Sequence, residues 1–151
     1  MSSVVLLSQS SPTTLSVQKK MLTRKIVILT NAMLEFEGWH PGGISGGQAG
    51  IPSVSYRNHN PGNLRYSIFQ VGECDGFAFF YDDNTGLFAM RYDIIRKCQG
   101  KTITSLTGES TLVDLIYIYS TAKDDALNNY VEFVCGRTGF TPDMKIGELI
   151  K

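Results

Sequence analysis

The sequence predicts an α+β domain, mostly helical, with one small β-hairpin after the first long helix. Three observations carry this. Leu22, Ile26, Leu29, Met33 and Phe36 recur at the 4-3-4-3 spacing of one helical face. A dense polar turn, RNHNPGN at 57–63, precedes two runs rich in apolar residues that the turn-forming GECDG divides, as in a hairpin. Helical stripes then fill the rest of the 151-residue chain. That length suits one domain with a real core. Residues 1–15 are expected to form a flexible N-terminal arm and residues 16–151 the single domain.

The arm is rich in Ser and Thr, and its apolar Val4-Val5-Leu6-Leu7 offers a docking segment. The first helix is predicted over about 16–37. Gly38 stands where a C-terminal glycine belongs, and Pro41 follows. At about 100° per residue, Glu37 falls roughly 20° from Ile26 on the helical wheel. It is therefore expected half-buried, at the edge of the apolar stripe. Glu35 falls on the opposite, solvated side near Arg24 and Asn31.

Residues 38–55 hold six glycines and two prolines and form a loop that either closes over a ligand or simply connects. Asn60-Pro61-Gly62-Asn63 has the chemistry of a type II turn, with Gly where φ must be positive. A strand is predicted over 64–71, a turn over 72–76 and the partner strand over 77–81. Asp82 to Thr85 offer N-caps for a helix reaching Cys98, striped by Leu87, Met90, Ile94 and Cys98. Thr111 caps a helix over 112–119. Another is predicted over 124–135 with Leu127, Val131 and Val134 on one face, broken by Gly136 and Gly139. Thr141-Pro142 starts a short closing helix.

Composition excludes several classes. Fourteen basic and fourteen acidic side chains cancel, so nothing suggests a partner as anionic as nucleic acid. No apolar run approaches the roughly 20 residues of a membrane span. The N-terminus lacks the basic residues and long apolar core of a signal peptide, which points to synthesis in the cytoplasm without a clear export signal. Cys74, Cys98 and Cys135 have no CxxC spacing and read as three free thiols, with one pairing as the alternative. His40 and His59 lack the spacing and third ligand of a metal site, so neither metal nor cofactor is expected.

The chemistry concentrates on Glu37 and the polar turn. Burial against apolar groups raises a carboxyl pKa, and a carboxyl still protonated near neutrality can donate to a leaving oxygen. A plain helix-end Glu, bonded to backbone or Arg, fits the same position. Trp39 could stack on a sugar face or cover the helix end. One turn does not need three Asn and an Arg in seven residues. The cluster either pins the loop or faces a polar ligand.

Taken together, FEGW, the glycine-containing loop, SYRNHNPGNLRY, GFAFF and the later YS…NNY…V…G resemble the lysozyme-like domains of bacteriophage and prophage proteins. The likeness covers about residues 22 to 150. It implies a lysozyme-like fold in which a Glu at the end of the first long helix faces a small hairpin across a glycan cleft. That Glu is Glu37. Arg57, Asn58, Asn60 and Asn63 of the turn become substrate-binding residues. Tyr119, where such domains carry Tyr-Ala-Pro, stands for the far wall, although this chain has Tyr-Ser-Thr there.

The activity implied is cleavage of the β-1,4 bond between N-acetylmuramic acid and N-acetylglucosamine, of lytic transglycosylase or muramidase type. The alternatives are a catalytically weak structural component of a phage particle and, more distantly, an endo-glucosaminidase. Partners would be peptidoglycan glycan strands and, through the arm, other virion proteins, in a phage particle or the bacterial envelope. A second carboxylate normally completes the pair for hydrolysis. Glu73, Asp75, Asp82 and Asp83 are candidates, with turn residue or helix cap as the default reading of each.

Overall fold

A computed structural model describes residues 22–39, 53–120 and 122–151. The expected arm, the start of the first helix before Leu22 and the glycine-rich loop over 40–52 lie outside the described residues. The elements run α1 Arg24–Phe36, α2 Val54–Arg57, β1 Gly72–Cys74, β2 Phe77–Phe79, α3 Asp83–Cys98, α4 Leu112–Ser120 and α5 Asp124–Thr138, closed by a 3-10 turn Ile146–Ile150. The fold is mostly helical, with a two-stranded antiparallel hairpin after the first helices.

α1 begins later than its apolar pattern suggests. Leu22 and Thr23 are not helical. The Thr23 hydroxyl caps α1 by accepting from the Ile26 N–H at 3.2 Å. The other end matches expectation. Glu37 is the C-cap, Gly38 turns left-handed at φ 74°, and the Gly38 and Trp39 N–H groups donate back to the Glu35 and Leu34 carbonyls. This Schellman arrangement satisfies carbonyls that the helix end would otherwise leave open.

Ile26, Leu29 and Met33 are fully buried, and with Met90, Ile94, Leu112, Leu115 and Ile116 they form the main core. α1 lies mainly against α5 and α3, and α4 packs on α5. Each of these helices carries its apolar stripe on the side facing the others, and that burial drives their assembly. A smaller cluster of Ala78, Phe80 and Ala89, with Leu64 and Phe69 against it, joins the hairpin to α3.

Several local expectations need correction. Residues 64–71 are turns and irregular chain, not a strand. The first strand is instead 72–74, paired Gly72 to Phe79 and Cys74 to Phe77. Asp75-Gly76 alone makes the turn, with φ 56° and 80°. Both central residues are left-handed, as a two-residue type I′ hairpin requires, and Asp-Gly is a preferred pair there. The apolar residues of 64–71 drew the strand prediction because they are distributed between packing on α3 and exposure.

Asn60 to Asn63 does turn, with the Asn63 N–H donating to the Asn60 carbonyl at 3.0 Å. It is not type II, because the left-handed residue is Asn63, at φ 53°. Gly62 is needed for space: a Cβ there would lie 2.6 Å from the Tyr119 hydroxyl. Gly86 of α3 is required for the same reason, since its Cβ would meet the His59 carbonyl oxygen at 1.8 Å. The polar turn is thus laid directly onto α3 and α4.

Gly136 stays within α5, and only Gly139, at φ 79°, ends it. Pro142 sits in a turn, and the closing 3-10 helix starts at Ile146. The three cysteines are free. Burial pushes the Cys98 thiol up to about 12.

Candidate functional site

The end of α1 and the polar turn face each other across a hollow of about 330 Å³. Glu37 and Trp39 line one side, Ser53 and Ser55 lie at the start of α2, and Pro61, Asn63 and Phe77 form the turn and hairpin side.

By surface area Glu37 is an exposed residue, not the half-buried one the wheel predicts. It sits just past the last helical turn, where the stripe no longer has helix to continue on. Its carboxyl group nevertheless reaches inward and accepts from the Tyr130 hydroxyl at 2.7 Å. Protein packed around that group disfavours its charge and raises its pKa, and the Tyr130 hydrogen bond opposes this in part. Tyr130 is itself buried on α5. Burial and the nearby carboxylate hold its phenol far above the ordinary value, so it stays a proton donor.

Glu35 behaves as expected of a solvated acid. Arg137 grips it with two hydrogen bonds, at 3.0 and 2.9 Å. That contact lowers its pKa. Glu37 is therefore the acid of this helix end displayed in the hollow with its protonated form favoured.

Most of the turn works inward. Asn60 is fully buried; its amide nitrogen donates to the Leu64 and Ala78 carbonyls and its oxygen accepts from the Leu64 N–H. Asn58 is 1% exposed and donates to the Cys74 carbonyl at 2.9 Å. Arg57 pairs with Asp75 at the hairpin tip, 3.2 Å away. His59 pairs with Asp83 at 2.8 Å. Of the substrate-binding residues proposed from sequence in this turn, the structure places only Asn63 both exposed and on the wall of the hollow. The Tyr119 hydroxyl donates to the Gly62 carbonyl at 2.9 Å, locking α4 to the turn. In this structure it is a clamp rather than an open wall.

Trp39, weighed above as a sugar-stacking or helix-covering ring, is joined by residues the sequence did not single out. The Trp39 and Tyr56 rings stack, 5.4 Å apart and 8° from parallel. Phe77 faces the hollow from β2. Tyr130 could have been found by extending the α5 stripe, since it lies three residues beyond Leu127 and one before Val131. A phenol on the face turned toward α1 needs a partner at its hydroxyl, and Glu37 is within reach.

All 14 acidic side chains fall among the described residues, because the segments 1–21 and 40–52 contain no Asp or Glu. Glu37 is the only carboxylate among the described lining residues. Asp75 and Asp83 are paired as above, and Asp82 caps α3 by accepting from the Thr85 N–H at 2.8 Å. Glu73 is an exposed β1 residue opposite Ala78. Among the described residues no group of three or more His, Cys, Asp and Glu gathers as metal ligands, and no helix is long and apolar enough to cross a membrane. Compared with family models, curated proteins and solved structures, the chain matches none of them.

Proposed function

We propose that this chain is a peptidoglycan-cleaving glycosidase built on a lysozyme-like fold. It acts on the β-1,4 bond between N-acetylmuramic acid and N-acetylglucosamine, in a phage particle or at the bacterial envelope. The observation that carries this is Glu37. Burial raises the pKa of its carboxyl group, and it stands on a hollow lined by Trp39, two serines and an exposed Asn. Aromatic faces and small polar groups suit the alternating apolar and hydroxylated surfaces of a sugar.

Glu37 protonates the glycosidic oxygen as the C1–O bond breaks, and becomes a carboxylate. It then takes the proton of a hydroxyl on the muramoyl unit as that oxygen bonds to C1. The products are an anhydro-muramoyl end and a free N-acetylglucosamine hydroxyl, with Glu37 again protonated and no water consumed. The single carboxylate among the described lining residues favours this transglycosylase course over hydrolysis, which uses a pair.

The rival is a structural component of the phage particle that keeps a glycan groove with little activity. It draws on the inward engagement of Asn58, Asn60 and Tyr119, which leaves Asn63 as the exposed member of the polar turn within the hollow. Digestion of purified peptidoglycan by the wild type and by Glu37→Gln, read by mass spectrometry, separates the two. Anhydro-muramic ends from the wild type alone are expected. Reducing ends would make it a hydrolase. No products, with glycan binding retained, would refute catalysis and leave the structural role.

A further inference from the structure

A second hollow, of about 360 Å³, lies between the chain that follows the polar turn and α3. Pro61 and Asn63 line the Glu37 hollow, and the chain then passes through Leu64, Tyr66 and Ile68 into the second one, which is backed by Tyr92, Asp93 and Arg96 of α3. Its size falls in the ordinary range of small-ligand sites, about 300–1,000 Å³.

The two walls differ in chemistry. Tyr66 is 72% exposed and Ile68 65%, a large apolar surface for one short segment to leave open. Opposite them the Tyr92 ring makes a T-shaped contact with Phe69, 5.1 Å and 84° away, and lies near-parallel to Phe88 at 6.5 Å. The Arg96 guanidinium lies 6.0 Å from the Tyr92 ring centre, held by a bond from Nη2 to the Lys101 carbonyl. Asp93 has its charge matched by Lys97 at 2.5 Å, so Arg96 carries the net positive charge of this wall. Aromatic faces with a guanidinium at the rim can hold a pyranose face while pairing a carboxylate on it.

We propose that this hollow is an accessory glycan site for a carboxylate-bearing sugar of the muramic type. The ring lies against Tyr66 and Tyr92, and its carboxylate pairs with Arg96. The identity of the ligand rests on the glycosidase proposal above. A glycan strand denuded of its stem peptides, whose lactyl carboxylates are free, gains binding energy remote from the bond being cut when held at both hollows.

The test is an NMR titration of the full chain with the disaccharide N-acetylglucosaminyl-N-acetylmuramic acid, which lacks the bond cleaved above. Diacetylchitobiose, without the carboxylate, is the control. Trp39 is the chain's single tryptophan, and its indole signal reports the Glu37 hollow separately. The Tyr66, Tyr92 and Arg96 signals should move with the muramic disaccharide. Binding there should weaken about tenfold in Arg96→Gln and in the exposed-site variant Tyr66→Ala, and be about tenfold weaker for diacetylchitobiose. Response at Trp39 alone overturns the second site and leaves the catalytic proposal standing. Response at Tyr66, Tyr92 and Arg96 without Trp39 supports the second site and counts against the first. Equal binding of diacetylchitobiose, or no loss in Arg96→Gln, overturns the pairing with a carboxylate.

Discussion

Glu35 and Glu37 leave the same helix end two residues apart, and the fold treats them in opposite ways. Glu35 points to solvent and is held as an anion by the fork of Arg137. Glu37 passes the last helical turn, reaches toward α5 and accepts from the Tyr130 phenol in crowded surroundings that raise its pKa. Both acids are tied to α5, one by a cation and one by a hydroxyl. Burial around the one carboxyl group and a cation beside the other push their proton affinities in opposite directions.

The opposite shifts give opposite pH signatures. The Glu37 pKa lies above its ordinary value of 4.5, so its folded state binds the proton more tightly. Its contribution to stability is full below that value and is lost as pH rises through the folded pKa. The Glu35 pKa lies below 4.5, so its contribution is present above that value and is lost as pH falls through the folded pKa.

The sharpest way to break the comparison is to neutralise each acid. Glu37→Gln should cut peptidoglycan cleavage on the order of 100- to 10,000-fold, while Glu35→Gln should leave initial rates within about twofold. Equal losses would erase the distinction. The next largest effect concerns the wall facing Glu37. Asn60→Ala strips a buried amide from the Leu64 and Ala78 backbone and should cost about 3 kcal/mol in urea unfolding. The hairpin should loosen, and the Glu37 pKa should relax toward normal while that of Glu35 does not move.

Tyr130→Phe removes the hydrogen bond that stabilises the Glu37 anion. The high-pH limb of the activity profile, where the general acid loses its proton, should move to higher pH, with a stability loss of about 1 kcal/mol. A move to lower pH would show that Tyr130 does not act through that bond. The smallest effect is expected at the exposed pair: Arg137→Gln should leave the urea midpoint nearly unchanged and return the Glu35 pKa toward normal.

The helices were legible because their stripes and caps are local signals. The Asp82 cap, the α1 glycine end and the Met90–Ile94–Cys98 stripe all lie within a few residues of what they control. The hairpin was misplaced because apolar content drew the strand into 64–71, whereas Asp75-Gly76 sets the register. The polarity of the turn at 57–63 was plain in the sequence, but its direction was not. Asn60 bonds Ala78, 18 positions away, and Gly62 is fixed by Tyr119, 57 positions away. Tyr130 lies 93 positions from Glu37, so only packing of α5 on α1 reveals that pair.

The most direct measurement is a carboxyl carbon-13 NMR titration of Glu35 and Glu37 in one sample of the full chain. Glu37 should titrate above 4.5 and Glu35 below it. A Glu37 midpoint at or below that of Glu35 would contradict its assignment as the proton donor.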